Sequence, residues 1–197
     1  MTATEIRIRG RVQGVGFRPA VWRLASELGL DGEVLNDGGG VLIRLQGSAD
    51  RVEAMLNRLT SEPPPLARID RVERQPFYGA VTAGFRIAES GCGSPHTEIP
   101  PDTALCALCA EDVLSAGARR HRYAFTNCTH CGPRLSIICA IPYDRVTTTM
   151  VAFPLCPDCE REYRDPTDRR FHAEPIACPG LRPAAATGPA QWRRVDR

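Results

Sequence analysis

Hydrophobic and polar side chains alternate over residues 5–12 of the chain. Ile6, Ile8 and Val12 fall on one side of this segment, and three arginines fall on the other. A period of two predicts a strand with one buried face. Further strands are predicted at residues 33–36, 41–46, 69–74 and 85–88. A tight turn of Asp37 and three glycines joins the second strand to the third.

Two other segments repeat their apolar positions with the period of an α-helix. The first places Pro19 in its first turn, where the missing N–H costs nothing, and ends at Gly29. The second begins at Asp50 and ends before the prolines at 63–65. Their apolar stripes are Val21, Leu24, Ala25 and Leu28, and Val52, Met55, Leu56 and Leu59. The order βαββαβ predicts an α+β domain of ferredoxin-like fold at residues 1–90.

A change of composition divides the rest of the chain. Residues 91–101 predict a Gly/Ser/Pro linker, residues 102–183 a small cysteine-rich domain, and residues 184–197 an irregular tail. The chain has 197 residues and a net charge of +2, which suits two small domains. It contains no apolar run long enough for a membrane span and begins without the apolar core of a signal peptide. We therefore expect a cytoplasmic protein with reduced thiols and no membrane partner.

Paired cysteines in the second domain have the spacing of zinc ligands. Gaps of 18, 24 and 18 residues separate four Cys-x-x-Cys positions, of which the last is incomplete because Leu181 stands where its second cysteine would be. Two such pairs supply the four ligands of a tetrahedral zinc. One complete structural Zn²⁺ site is predicted from Cys106, Cys109, Cys128 and Cys131. A second site of three cysteines is predicted from Cys156, Cys159 and Cys178.

Two interpretations of the incomplete second site stay open. An inserted base would put residues after Pro179 out of frame, so that the chain is the front of a longer protein; 25 arginines and no lysine fit the GC-rich gene this requires. The alternative is a natural loss of one ligand, with water or His172 completing the metal shell. Either way we expect this region to loosen first and the N-terminal domain to be unaffected.

A glycine-containing turn over residues 12–18 joins the first strand to the first helix. Its two glycines let backbone N–H groups converge on an anion, the helix dipole adds positive charge, and Arg18 offers a planar fork for two phosphate oxygens. If the first and second strands are neighbours, Asn36 lies beside this turn, where its amide would orient a water. A tight β–α turn and a turn-starting asparagine are the structural alternatives.

These residues carry a resemblance to a known family. Residues 10–18 (Gly-Arg-Val-Gln-Gly-Val-Gly-Phe-Arg), 32–36 (Gly-Glu-Val-Leu-Asn) and 40–41 (Gly-Val) resemble the acylphosphatases. The resemblance implies metal-independent hydrolysis of a carboxyl-phosphate anhydride, with Arg18 and Asn36 as catalytic residues. It also implies a phosphate-binding set of Gln13, Gly14, Val15, Gly16, Phe17 and Arg18.

Motifs in the cysteine-rich domain narrow the resemblance. Residues 127–134 (Asn-Cys-Thr-His-Cys-Gly-Pro-Arg), 141–145 (Ile-Pro-Tyr-Asp-Arg) and 169–172 (Arg-Arg-Phe-His) resemble the HypF carbamoyltransferases of nickel–iron hydrogenase maturation, and the likeness runs over residues 5–179. It implies carbamoyl phosphate as the acyl phosphate and other hydrogenase maturation proteins as partners. The adenylate-forming and carbamoyl-transfer domains of that family are not found in this sequence.

A non-enzymatic alternative is a zinc-binding adaptor for partner proteins or nucleic acid, with an inert N-terminal domain. Arginines at 119–122 and 169–170 would suit nucleic acid, but acidic residues interleave with them and the net charge is small. The sequence therefore predicts solvated charge and argues against nucleic acid. His130 is predicted to face solvent or the domain interface, since its cysteine pair already belongs to a complete site.

Overall fold

The computed structural model describes residues 2–91, 93–94 and 96–181. The strands are β1 (Thr2–Arg11), β2 (Asp31–Asp37), β3 (Gly40–Gly47), β4 (Arg68–Pro76) and β5 (Phe85–Ile87). The helices are α1 (Phe17–Glu27), α2 (Ala49–Ser61), α3 (Ala107–Leu114) and α4 (Pro157–Arg164). The predicted tail at 184–197 and Cys92 lie outside the described residues.

The five strands form one sheet in the order β4-β1-β3-β2-β5. Strand β1 pairs antiparallel with β3 on one side and with β4 on the other, and β2 and β3 form an antiparallel hairpin. Strand β5 lies at the edge of the sheet and pairs parallel with β2. The predicted α+β ferredoxin-like fold is confirmed, but the expectation that the first and second strands are neighbours is wrong. Helix α1 crosses the sheet before β2 begins, and the tight hairpin then brings β3 back between β1 and β2.

The predicted faces of the N-terminal elements form its core. Ile6, Ile8 and Val12 are buried as the alternation predicts. The helix positions that are fully buried are Val21, Ala25, Val52, Met55 and Leu59, and Leu24, Leu28 and Leu56 pack against them half-buried. Within the described residues, no helix combines the length and apolar character that crossing a membrane requires.

The cysteine-rich half, residues 102–181, contains little regular structure. Helices α3 and α4 are eight residues each, and each begins immediately after the first cysteine of a pair, Cys106 or Cys156. Its hydrophobic clusters are small, and two of them contain the cysteine side chains themselves. Metal ligation is the force that can hold such a segment together in the absence of a large core.

Truncation of Ile8 should show how strongly the sheet depends on the buried face of β1. Ile8 is fully buried and lies opposite the half-exposed Val72 of β4. We expect Ile8→Ala to lower the free energy of unfolding by about 2–5 kcal/mol, because it leaves a cavity in the core. Val72→Ala, the matched control, should cost at most about 1 kcal/mol. Equal losses in urea-induced unfolding would contradict this burial pattern.

Candidate active site and metal centres

The turn between β1 and α1, here called the phosphate loop (residues 13–16), leads into the N-terminus of an eleven-residue helix. Gly14 and Gly16 adopt positive φ angles of 69° and 76°, which a residue without Cβ accepts readily. The first N–H groups of α1 have no acceptor within their own helix, so they are available to an anion. The side chains of Val15 and Phe17 lie in the core, which leaves only their backbone for phosphate binding.

Arg18, in the first turn of α1, is the charged group of the site. Its side chain is 8% exposed, and its Nη2 lies 2.7 Å from Asp144 Oδ1 and 3.1 Å from Glu174 Oε1. Burial alone would lower the pKa of Arg18, but the two carboxylates outweigh it and raise that pKa. Both carboxylates come from the cysteine-rich half, so this half supplies the immediate partners of the predicted catalytic arginine.

Glu174 is the most deeply buried acid of this cluster. Its side chain is 2% exposed, and its second oxygen, Oε2, accepts a hydrogen bond of 2.7 Å from the Tyr163 hydroxyl. Burial raises the pKa of Glu174 to about 7, although Arg18 and Tyr163 work in the opposite direction. Burial, followed by the positive charge of Arg18, also lowers the pKa of the adjacent His172 to about 4.

Asn36, near the end of β2, is 2% exposed and lines the same cavity as Arg18 and the phosphate loop. Its Nδ2 donates a hydrogen bond of 3.3 Å to the carbonyl oxygen of Tyr143. Its Oδ1 is buried and has no hydrogen-bond partner among the described residues. A buried acceptor of this kind needs a donor, and a water in the cavity would supply one.

The side chain of Gln13 has a structural role instead of the predicted phosphate-binding role. Its Nε2 donates to the carbonyls of Asp37 and Gly40 at 2.7 and 2.8 Å, and its Oε1 accepts the Tyr143 N–H at 2.8 Å. The amide thus holds the β2–β3 turn and the cysteine-rich half against the phosphate loop. Only the backbone of Gln13 remains available to phosphate.

Arg18 separates two cavities. The inner one has a volume of about 20 Å³, and it is lined by the phosphate loop, Asn36, Arg134, Tyr143 and Glu174. The outer one is a groove of about 710 Å³ lined by residues 87–91 with Asp144, Tyr163 and His172. No pocket for the acyl half of a substrate could be predicted from the sequence. This groove opens on the other side of Arg18 from the inner cavity.

Arg134 connects the phosphate loop to the first cysteine cluster. The side chain is 1% exposed and donates to the carbonyl oxygens of Cys128, Thr129 and Cys131 at 2.9–3.0 Å. It also donates to the carbonyls of Pro133 and Gly14. Buried hydrogen bonds and ion pairs therefore join the N-terminal domain to the cysteine-rich half.

The first cysteine cluster has the geometry of a tetrahedral metal site. The four sulfur atoms of Cys106, Cys109, Cys128 and Cys131 lie within 4.8 Å of one another. Two of the separations, from Cys128 Sγ to Cys106 Sγ and to Cys131 Sγ, are 3.8 Å. Zinc–sulfur bonds of about 2.3 Å in tetrahedral arrangement give sulfur–sulfur separations of about 3.8 Å. The residues present therefore fit zinc, and four thiolates leave no position open for substrate.

The second cluster contains three sulfur atoms, those of Cys156, Cys159 and Cys178, again within 4.8 Å of one another. Leu181 is 3% exposed and packs with these cysteines at the place of a fourth ligand. His172 does not join the group; its ring packs against Phe171 and Tyr163. The alternative of His172 as the fourth ligand is wrong for this arrangement of the chain.

An internal repeat of fifty residues, which the sequence analysis missed, relates the two clusters. Cys106, Cys109 and Cys128 correspond to Cys156, Cys159 and Cys178, and α3 corresponds to α4. The correspondence extends to the backbone, because Arg122 and His172 share a positive φ and donate their N–H groups to Val113 and Tyr163. The recurring Arg-Arg pair at 119–120 and 169–170 was the signal in the sequence.

The paired arginines cross between the two repeats. Arg120 binds Glu162 and lies 3.7 Å from Cys159 Sγ in the second repeat, while Arg170 binds Asp112 and lies 3.9 Å from Cys109 Sγ in the first. Arg120 and Arg170 are 4% and 5% exposed, so the prediction of solvated charge is wrong for them. These arginines pair with carboxylates and lie beside cysteine sulfur atoms, so their N–H groups are not available to a nucleic-acid backbone. His130, by contrast, is exposed beside Gly16, as predicted.

Comparison with known proteins agrees with this arrangement. Residues 4–87 match the acylphosphatase family, and residues 105–138 and 155–180 match the HypF finger. An acylphosphatase of Mannheimia succiniciproducens is 41% identical over 90 residues, which are 45% of this chain and 99% of that protein. A carbamoyltransferase HypF of Rhodobacter capsulatus is 53% identical over 193 residues, which are 98% of this chain and 25% of that protein.

A solved structure extends the likeness to the whole arrangement. The crystal structure of full-length HypF in the phosphate- and nucleotide-bound form matches with a TM-score of 0.86 at 42% identity, over 90% of this chain and 24% of that chain. The chain thus spans about a quarter of the length of the HypF proteins it matches. The cysteine-rich half matches the HypF finger, and by residues 4–87 the chain belongs to the acylphosphatase family.

Proposed function

We propose that this chain hydrolyses small acyl phosphates at the phosphate loop, without a metal ion in the reaction. The unpartnered, buried Oδ1 of Asn36 in the cavity of Arg18 carries the proposal. Arg18 and the N–H groups of the loop and of α1 would bind phosphate oxygens, and Asn36 would accept a hydrogen bond from the attacking water. The similarity to a carbamoyltransferase HypF supports carbamoyl phosphate as the substrate, and the resemblance of the sequence motifs to that family supports other hydrogenase maturation proteins as partners.

In the proposed reaction, the water oxygen forms a bond to phosphorus as the bond between phosphorus and the acyl oxygen breaks. The acyl group leaves as its carboxylate, or as carbamate when the substrate is carbamoyl phosphate. The amide of Asn36 accepts hydrogen bonds but no proton, so the proton of the water ends on phosphate. Arg18 stabilises the negative charge that develops on the phosphoryl oxygens.

The cysteine clusters are proposed as structural zinc sites. Bound zinc would supply cross-links between segments and no open coordination position at the four-cysteine site. The ion pairs between Arg18 and the cysteine-rich half support one coupled unit. These ion pairs argue against the alternative of a zinc-binding adaptor with an inert N-terminal domain.

Arg18→Lys should reduce the hydrolysis of an acyl phosphate at least about 100-fold, because a point charge does not replace the planar fork. The substitution keeps the positive charge between Asp144 and Glu174 and so avoids leaving buried carboxylates unpaired. Arg23→Lys on the same helix is the matched control, and it should retain activity. A near-normal turnover number for Arg18→Lys would reject the role of the guanidinium.

Asn36→Ala should lower the turnover number about 100-fold, while inorganic phosphate inhibits the variant as well as it inhibits the unchanged chain. The reason is that Oδ1 is proposed to contact the water and not the phosphate. The exposed Asn57→Ala is the control. Loss of phosphate inhibition together with activity would show that Asn36 binds phosphate instead.

The purified chain should retain one zinc ion per chain after treatment with a chelator and lose a second. Three thiolates leave the second ion one ligand short, so chelators reach it more easily. Leu181→Cys should bring the zinc content, measured by elemental analysis, towards two per chain. Leu135→Cys adds an exposed cysteine elsewhere in the same half and should not. Two firmly held ions in the unchanged chain would contradict the ligand assignment.

A further inference from the structure

The two carboxylates on Arg18 belong to a network that is assembled independently of the arginine. Glu174 is fixed by the hydroxyl of Tyr163 on one oxygen, and its backbone carbonyl accepts a bond of 2.8 Å from Arg145. Asp144 caps the short turn at Arg145–Thr147, with reciprocal bonds to residue Thr147. The cysteine-rich half thus presents two preset acceptors to the catalytic arginine.

The internal repeat shows that this network is not needed to fold either repeat, here also called a finger, of the cysteine-rich half. Fifty residues before Tyr163 and Glu174, the first repeat carries Val113 and Ala124, neither of which can form such an ion pair or hydrogen bond through its side chain. The first repeat nevertheless adopts the same helix, the same turn and the same cysteine geometry. The acidic and phenolic side chains of the second repeat therefore serve something other than the finger fold.

Carboxylate and phosphate oxygens compete for the same donors. Both accept charge-assisted hydrogen bonds from a guanidinium, and Nη2 of Arg18 already lies within 3.1 Å of two carboxylate oxygens. Each ionised carboxylate beside Arg18 cancels part of the attraction between the guanidinium and a phosphate dianion. A phosphate that takes the Nη2 donors of Arg18 must therefore displace at least one of the two carboxylates.

Resting on the function proposed above, we propose that Asp144 and Glu174 are positioning residues that hold Arg18 in the phosphate site and yield it to the incoming phosphate. Asp144, which is 19% exposed and borders the outer groove, keeps the guanidinium in place. Glu174, which lines the inner cavity with Asn36, is the acceptor that phosphate replaces. Glu174 thereby weakens the binding of substrate and of product phosphate alike, and the cysteine-rich half sets the affinity of the site.

The test is the affinity for inorganic phosphate, measured by calorimetric titration of the full chain at about pH 8, where Glu174 is ionised. Glu174→Gln removes the competing charge but keeps the shape and an acceptor for Tyr163. We expect the dissociation constant of phosphate to fall about tenfold, and the KM for an acyl phosphate to fall with it, as for the loss of one charged competitor. The matched control is Glu162→Gln, which removes a carboxylate of the same finger that binds Arg119 and Arg120; it should leave phosphate affinity unchanged.

A merely structural Glu174 would give the opposite sign, with weaker phosphate binding as the site loosens. Unchanged or weaker binding in Glu174→Gln therefore overturns the inference. If that variant does not fold, Tyr163→Phe releases the same carboxylate from its anchor while it keeps the ring, and it must change phosphate affinity more than Tyr78→Phe, an exposed control. If the unchanged chain binds phosphate but hydrolyses no acyl phosphate, the proposed function fails, while the titration still decides the role of Glu174.

Discussion

A single buried guanidinium, that of Arg134, holds the phosphate loop to the first cysteine cluster. Its N–H groups reach five carbonyl oxygens, of which Gly14 belongs to the loop and the other four to residues 128–133. A charge buried to this extent is tolerable only when its donors are satisfied, so any shift of either segment leaves donors unpaired. The conformation that a metal imposes on Cys128 and Cys131 is thereby passed directly to the backbone that would receive phosphate.

Arg18 is likewise a buried guanidinium that joins the two halves of the chain, but its partners are carboxylates instead of carbonyl oxygens. Buried ion pairs contribute little net stability, because desolvation offsets much of the attraction. An arginine between two carboxylates is therefore a costly way to join two domains, and an apolar contact of similar volume would serve as well. The ion pair differs from an apolar contact because an anionic ligand such as phosphate can replace a carboxylate on Arg18, whereas it cannot replace a hydrophobic side chain. The same cluster explains why Glu174, Tyr163 and His172 differ from their counterparts in the first repeat.

The N-terminal domain could be predicted from sequence because its signals are local. The alternation in β1, the stripes of α1 and α2 and the residues of the phosphate loop lie within short windows, and the cysteine spacing defined both clusters. The failures concern residues far apart in the chain. Asp144 and Glu174 meet Arg18 across 126 and 156 residues, and no periodicity reports such a contact. Strand order failed for the same reason, and the paired arginines were misjudged because charge in a sequence does not reveal which partner removes it from water.

The crossing of arginines between the two repeats has a consequence for the order in which the chain acquires structure. Until residues 169–170 leave the ribosome, Asp112 lacks both of its cationic partners and Cys109 lacks the guanidinium beside it. The first finger, although its four cysteines are complete by residue 131, cannot finish burying its polar groups by itself. The two repeats therefore complete their polar contacts together, and the phosphate loop of the N-terminal domain stays partly uncovered until residues 169–174 are available.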